Sequence, residues 1–247
     1  MSQTVLRLFG HLELWHADRP LPLLPARPQA LLTALTLWRG QWCDTDRLVG
    51  TLWGEHPPPS ALINLRAFIS QWRKRLTPLG ALSIDSRRGA YRLNPGTALL
   101  DVAEFETLLA DGHRALAAVD PGTAANRFEA ALGLWRGTPF STLGLCALPE
   151  QTRLTELRDR GRSGLVTALL AQERHDEAVA VLRQAVAAQP YDERVWARLV
   201  TTLAAAGRRA DALAAYRHIQ ELLWEELGIA PGRDLQAAHL RVLSPAS

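Results

Sequence analysis

The chain opens with an alternation of hydrophobic and polar residues, which is typical of a β-strand. One face of this segment is formed by Leu6, Leu8, Gly10, Leu12 and Leu14, since side chains alternate between the two faces of a strand. The next segment has four prolines between residues 20 and 28. We therefore predict a strand bent at Gly10, followed by a turn and an edge strand, because proline lacks the N–H that a central strand needs.

The hydrophobic period then changes to about 3.6 residues, which predicts three helices. Pro28 suits the first turn of one helix, and Gly40 suits its end. Asp44 suits the N-cap of a second helix that ends at Gly54. A third helix, SALINLRAFISQWRKRL, is predicted to begin at Ser60 after a run of prolines.

The third helix has a hydrophobic face and a polar face. Its predicted core positions are Leu62, Leu65, Ile69, Trp72 and Leu76. The opposite side holds Asn64, Ala67, Gln71 and Lys74, flanked by Arg66, Arg73 and Arg75. Amide side chains can read base edges in a major groove, a small residue between them allows close approach, and cations bind phosphates. An ordinary solvated amphipathic helix has the same pattern, so the helix by itself leaves both interpretations open.

After this helix the sequence predicts a β-hairpin. Two short alternating segments, 82–84 and 91–93, are separated by a turn that contains Arg87, Arg88 and Gly89. Strands, three helices and a hairpin in this order are typical of a winged helix-turn-helix. A pair of arginines in a turn is usually only solvated, but after a candidate recognition helix it indicates contact with DNA phosphates or a minor groove.

An internal repeat lies in the C-terminal half of the chain. Residues 164–183 align without gaps on residues 198–217. The offset is 34 residues, which is the period of tetratricopeptide (TPR) helical hairpins. Ala178 and Ala212 occupy equivalent positions, at which a small residue lets the two helices of a hairpin approach closely.

The rest of the C-terminal half is also predicted to be helical. We expect Asp101 to cap its first helix. Because about three repeats are needed to bury a continuous core, residues 102–136 are interpreted as a degenerate third hairpin and residues 221–243 as a cap. The predicted fold is an α+β winged helix-turn-helix, residues 1–97, followed by an all-α TPR-like helical-repeat domain, residues 98–247, with a partner-binding role.

Composition limits the classes of protein that fit. Hydrophobic residues make up 47% and charged residues 21% of the chain, an ordinary globular balance. No apolar run of about 18 residues or signal peptide is present, so we expect a cytoplasmic, nucleoid-associated protein without a membrane partner. Since the sequence has no phosphate loop, HExxH motif or nucleophile elbow, and its two cysteines lack metal-binding spacing, we predict no enzyme activity, no metal and no cofactor.

Charge is distributed unevenly along the chain. Residues 1–100 contain twelve Lys or Arg against six Asp or Glu, whereas residues 101–247 contain sixteen against nineteen. A basic N-terminal half joined to a mildly acidic C-terminal half suits a DNA-binding domain attached to a partner-binding one. Such an excess also occurs in proteins that bind no nucleic acid.

Both halves resemble one family of bacterial regulators. Residues 5–97 resemble the OmpR/PhoB-type winged-helix domain, through RLVGTLWG, the third helix and the wing ending GAYRL. Residues 101–243 resemble the bacterial transcriptional activator domain, through FEAALGLWRG and ELGIAPGRDLQ. The tandem is typical of SARP-type (antibiotic-regulatory-protein) activators. The resemblance implies a factor that binds direct-repeat promoter sites on double-stranded DNA as a head-to-tail homodimer and recruits RNA polymerase, through a sigma factor or other subunits.

The resemblance also implies roles for individual residues. By position, base contacts fall to Asn64, Ala67 and Gln71. Contacts with the DNA backbone fall to Arg66, Ser70, Arg73 and Lys74, and wing contacts to Arg87 and Arg88. Gln71-Trp72 stands where the family usually carries Arg-Leu, so one customary cation is missing; this difference affects the operator sequence, not the fold.

Two other functions stay open at this point. A TPR-like scaffold could use its winged helix to bind protein instead of DNA, and its binding to a duplex would then be weak and insensitive to salt. A repressor would have the same DNA chemistry but would occlude the promoter, so its footprint relative to the −35 element would differ.

Overall fold

The computed structural model describes residues 3–244, which form two compact units. The first unit combines residues up to Leu108 with Ala131–Leu157, and the second combines Leu109–Ala130 with the described residues from Arg158 onward. Three helices contribute residues to both units. The predicted domain boundary after residue 97 separates two sequence families, whereas the two units are defined by contacts between residues. The units therefore do not test this boundary, which stays a prediction.

A four-stranded sheet lies at the start of the first unit. Its strands are β1 (Thr4–Arg7), β2 (Glu13–His16), β3 (Arg19–Leu21) and β7 (Leu99–Leu100), in the order β3-β2-β1-β7. β1 pairs antiparallel with β2 and parallel with β7. The predicted edge strand in the proline-rich segment is confirmed, because β3 contains Pro20 and pairs only with β2.

The prediction of one bent strand over residues 6–14 is wrong. The chain turns back between β1 and β2. Gly10 has a φ of +110° there, a backbone conformation that residues other than glycine rarely adopt. Phe9, which strict alternation places on the outer face, is fully buried. Its ring centroid lies 5.2 Å from that of Phe105 and 4.6 Å from that of Trp135, so both faces of this turn are covered.

A buried carboxylate fixes the same turn. Asp101 is the first residue of α4 (Asp101–Ala117), but the prediction that it caps this helix is wrong. Its side chain accepts hydrogen bonds from another segment, from the backbone N–H of Leu8 at 2.8 Å and that of Phe9 at 3.1 Å. The Arg136 guanidinium donates to the same carboxylate at 2.8 Å. Burial raises the pKa of the Asp101 carboxyl, so its ionised form depends on these donors.

The winged-helix elements follow in the predicted order. They are α1 (Ala26–Leu37), β4 (Cys43–Asp44), α2 (Thr45–Trp53), α3 (Ala61–Leu76), β5 (Ser83–Arg87) and β6 (Ala90–Asn94). Asp44 and Ser60 directly precede α2 and α3, and Gly54 ends α2, which confirms the predicted boundaries. The predicted capping is wrong in its chemistry, because neither side chain makes a capping hydrogen bond with its helix. β5 and β6 form the predicted hairpin, and β4 pairs with β6. The two-residue strand β4 was not predicted because it is too short to show a period.

The second unit is all-helical. Its residues come from α4, α5 (Pro121–Gly133), α6 (Leu148–Leu170), α7 (His175–Ala188), α8 (Glu193–Ala205), α9 (Arg209–Leu227) and α10 (Arg233–Leu243). α8 packs against α7, α9 and α10. These helices confirm the predicted helical-repeat class, and α10 lies within the segment predicted to form a cap.

The internal repeat is visible in the contacts. Ala178 in α7 and Ala212 in α9 are both fully buried, as their equivalent positions predict. The repeat also pairs charges at matching places. Arg174 donates to Glu177 at 2.6 Å, and Arg208, 34 residues later, donates to Asp211 at 2.7 Å. The second helix of each repeated hairpin therefore starts with the same local arrangement.

Glycines allow the degenerate hairpin to pack. The Phe128 ring of α5 lies against Gly112 of α4 and Gly164 of α6. A Cβ atom at Gly164 would lie 2.5 Å from Cζ of this ring, and one at Gly112 would lie 2.8 Å from Cε1. Since such distances are far shorter than van der Waals contact, any side chain at these positions would force the ring to move.

Candidate nucleic-acid interface

Five buried side chains hold α3 in the first unit. They are Ala61, Leu65, Ile69, Trp72 and Leu76. Trp72 is fully buried, and its Nε1–H donates to the Pro28 carbonyl oxygen of α1 at 2.6 Å. Four of the five predicted core positions are confirmed. The fifth is wrong, because Leu62 is 46% exposed and Ala61 is buried instead.

Because Ala61 is buried in place of Leu62, the centre of the exposed face of α3 differs from the predicted one. At about 100° per residue, the side of α3 opposite its core is centred on Ile63, Ala67, Ser70 and Lys74, all of which are exposed. Arg66 and Gln71 are exposed on its two flanks. We call these six residues the α3 outer face. It contains five of the seven α3 residues that sequence reasoning selected as DNA contacts.

The other two selected residues lie at the border of this face and bond to neighbours. Asn64 is half-buried, and its Nδ2 donates to Oγ of Ser60 at 3.1 Å. Arg73 is half-buried as well, and its Nε donates to the Ile84 carbonyl oxygen in β5 at 2.9 Å. A DNA contact by Arg73 would therefore use its Nη atoms, and the DNA roles of both residues stay predictions.

Sequence reasoning missed Ile63. Its side chain is 70% exposed near the start of the α3 outer face, where a large apolar group gains nothing from the protein core. The sequence does indicate that Ile63 is exposed, because this residue lies outside the hydrophobic stripe of α3. Since the predicted core stripe runs through the adjacent Leu62, the sequence pattern gives Ile63 no separate role.

The wing places its two arginines differently. The turn between β5 and β6 contains Arg88 and Gly89, and Gly89 has a φ of +71°. The Arg87 guanidinium lies 4.7 Å from the ring centroid of Trp42, which also packs against Arg92 at 4.6 Å. Arg88 is exposed and, within residues 3–244, makes no hydrogen bond, ion pair or ring contact with another side chain. Trp42 therefore positions Arg87, whereas Arg88 projects from the tip.

The positive charge of this region is not neutralised within the unit. In the described part of the chain, Arg66, Lys74 and Arg88 have no carboxylate oxygen within 4 Å. Some other cations of the unit are paired; Arg39 and Arg153, for example, both bind Glu106. Unpaired cations on an exposed helix face and a hairpin tip can bind a polyanion.

Three findings concern other kinds of function. Across residues 3–244, no group of three or more His, Cys, Asp or Glu side chains is placed to hold a metal ion. Burial raises the pKa of the Cys43 thiol to about 11, and Cys146 is exposed. Among the described helices, none has the length and apolar character needed to cross a membrane.

Comparison with known proteins shows one family. Residues 100–243 match the model of the family described as "Bacterial transcriptional activator domain". The chain is 33% identical to the regulatory protein AfsR of Streptomyces griseus over 96% of its own length, which is 24% of AfsR. It is 30% identical to the regulatory protein DnrI of Streptomyces peucetius, over 94% of this chain and 89% of DnrI.

A solved structure shows the same fold. The structure of Mycobacterium tuberculosis EmbR in complex with a low affinity phosphopeptide superposes with a TM-score of 0.89 at 28% identity, covering 100% of this chain and 67% of that one. By sequence, the transcriptional regulatory protein EmbR of M. tuberculosis H37Rv is 30% identical over 96% of this chain. This chain spans about a quarter of AfsR and less than two thirds of EmbR, 24% and 62% of their lengths.

Proposed function

Because this chain belongs to the SARP-type regulators that carry the bacterial transcriptional activator domain, we propose that it is a sequence-specific DNA-binding transcription activator. Residues 1–97 form the DNA-binding domain in this proposal, and residues 98–247 form the activator domain. The observation that carries it is the α3 outer face, which presents unpaired Arg66 and Lys74 beside a wing that ends in Arg88.

The proposed mode of binding places α3 in a major groove. Ala67 and Ser70 are small, so the centre of the α3 outer face can approach the bases closely. The Gln71 amide can bind an adenine edge with two hydrogen bonds. Arg66 on one flank and Lys74 in the last turn of the helix bind phosphates, and Arg88 reaches the neighbouring backbone or minor groove.

The proposed partners extend beyond DNA. We propose that the chain binds direct-repeat promoter sites as a homodimer and recruits RNA polymerase, through a sigma factor or other subunits. The relatives named as regulatory proteins support a role in transcription. The cell compartment that fits this proposal is the cytoplasm, with the protein associated with the nucleoid.

Two matched substitutions test the DNA interface. Lys74→Ala is expected to weaken binding about equally for all duplexes and to reduce the salt slope by about one phosphate contact. Gln71→Ala is expected to change sequence preference, at a cost of roughly 1–3 kcal/mol per lost base contact. Fluorescence anisotropy over a salt series, on a promoter fragment recovered by genome-wide footprinting, measures both effects.

The controls and contrary outcomes are equally specific. Gln220→Ala and Arg217→Ala remove the same chemistry from exposed positions of α9 and should leave DNA binding unchanged. Weak, salt-insensitive binding to every duplex would favour a protein-binding scaffold instead. A footprint that covers the core promoter, with less transcript in a reconstituted assay, would favour a repressor.

Ile63 is expected to contact the methyl group of a thymine. An apolar side chain this exposed in a major groove gains free energy from burying that methyl, about 0.8 kcal/mol or roughly fourfold in affinity. Replacing thymines of the bound site by uracil, one at a time, should therefore weaken wild-type binding at one position in each half-site. Ile63→Ala should bind the thymine and uracil duplexes equally well. A wild-type protein that binds DNA but ignores every uracil substitution would contradict this role.

A further inference from the structure

A groove in the second unit is lined by arginines that have no acidic partner. It lies between α8 and α10 and encloses about 370 Å³. Arg194 and Arg198 of α8 and Arg241 of α10 line it, together with the small side chains of Ala197 and Ala238. The groove therefore combines methyl groups with three guanidinium groups.

Arg198 is the most buried of the three. Its Nη1 donates to the carbonyl oxygen of Ser163 at 3.2 Å and to Oγ of the same residue at 2.6 Å, and its Nη2 donates to Oγ1 of Thr167 at 3.1 Å. All three acceptors belong to α6, and all are neutral. Burial lowers the pKa of Arg198, because a guanidinium removed from water without a carboxylate loses solvation that is not replaced.

Several arginines elsewhere in this unit do pair with a carboxylate. Arg162 binds Asp159 at 3.1 Å, and the equivalent arginines of the two repeats bind their own acidic residues. Between Arg158 and Ser244, by contrast, no carboxylate oxygen lies within 4 Å of Arg194, Arg198 or Arg241. Asp234 lines the same groove without pairing with any of them, so the groove keeps an excess of positive charge.

We propose that this groove binds an acidic peptide segment of a partner protein. Carboxylates of the segment pair with the guanidinium forks of Arg194 and Arg241, a geometry that favours two parallel hydrogen bonds per pair. The peptide's charge also offsets the uncompensated charge of Arg198. Asp234 accepts a backbone N–H of the peptide, and the alanine methyl groups pack against its apolar atoms.

The groove suits a peptide better than a DNA backbone. Its volume of about 370 Å³ lies in the range of pockets that hold a small ligand or a short stretch of side chains, not a duplex. Its residues all lie in the second unit, whereas the proposed DNA contacts all lie in the first. The inference thus goes beyond the proposed function and does not depend on it.

A binding measurement on the full chain tests the inference. The probe is a short fluorescein-labelled peptide of alternating glutamate and alanine, and the control peptide carries glutamine in place of glutamate. Fluorescence anisotropy at low salt is expected to show binding of the acidic peptide only. The double variant Arg194→Gln/Arg241→Gln should bind it at least about tenfold more weakly, about 1.4 kcal/mol.

The control variant keeps the same net charge as the groove variant. Arg183→Gln/Arg217→Gln changes two exposed arginines of α7 and α9 and should bind the peptide like the wild type. Because the side chains of Arg194 and Arg241 are exposed and make no hydrogen bond in the described part of the chain, equal thermal midpoints are expected for all variants. Equal binding of the glutamine peptide, equal losses in both double variants, or lost duplex affinity in the groove variant would each overturn the inference.

Discussion

Replacing Asp101 with asparagine is expected to lower the free energy of unfolding of the first unit by about 3 kcal/mol. The carboxylate is 2% exposed and accepts from two backbone N–H groups and from Arg136. An asparagine would turn an N–H₂ group toward at least one of these donors and would leave the Arg136 charge without its partner. The loss follows from unsatisfied donors, not from lost volume, because the two side chains have nearly the same size.

Hydrogen exchange of individual amides separates this effect from general destabilisation. Protection of the Leu8 and Phe9 amides should fall in Asp101→Asn, while amides of α8 in the second unit keep theirs. Glu104→Gln, an exposed position in the first turn of the same helix, should change neither. Unchanged exchange at Leu8 and Phe9 in Asp101→Asn would show that this carboxylate does not hold the turn.

Placing a negative charge at the centre of the α3 outer face is expected to have the largest effect on DNA binding. Ala67→Glu should weaken affinity for a specific duplex at least about 100-fold, about 2.8 kcal/mol. The new side chain fills the space needed for close approach and brings a carboxylate toward phosphates. Since Ala67 is exposed, the substitution should leave the fold intact.

The matched control adds the same charge elsewhere. Ala180→Glu, at an exposed position of α7, should bind DNA within about twofold of the wild type, since distant surface charge is screened by salt. Gel shift and anisotropy with one duplex compare the three proteins. If Ala67→Glu bound as tightly as Ala180→Glu, the α3 outer face would not be the DNA-contacting surface.

The elements that could be predicted are those whose signals are local. The helix starts after Asp44 and Ser60, the turn at Gly89 and the equivalent alanines Ala178 and Ala212 depend on a few neighbouring residues, and the structure places all of them as expected. The family and its fold class could be predicted from the sequence for the same reason. Their motifs combine a hydrophobic period with capping residues within single helices.

The candidate site could be predicted in outline but not in its orientation. Sequence spacing located α3 and its cations, yet it placed Leu62 in the core and Asn64 near the centre of the exposed face. The buried stripe is decided by what packs against the helix, including the bond from Trp72 to Pro28 of α1. Burial of Ala61 in place of Leu62 turns the exposed face toward Ile63 and leaves Asn64 at its border.

By itself, the sequence determined which segments form helices and strands, the order of the winged helix and the helical repeats, and the family. Only the tertiary structure decided that the first alternating segment turns back at Gly10, since the carboxylate that holds this turn belongs to Asp101, far along the chain. It also brought together the arginine groove from α8 and α10. Local patterns carry the preferences of a residue and its neighbours, whereas burial, unpaired charge and long-range hydrogen bonds depend on which segments the folded chain places in contact.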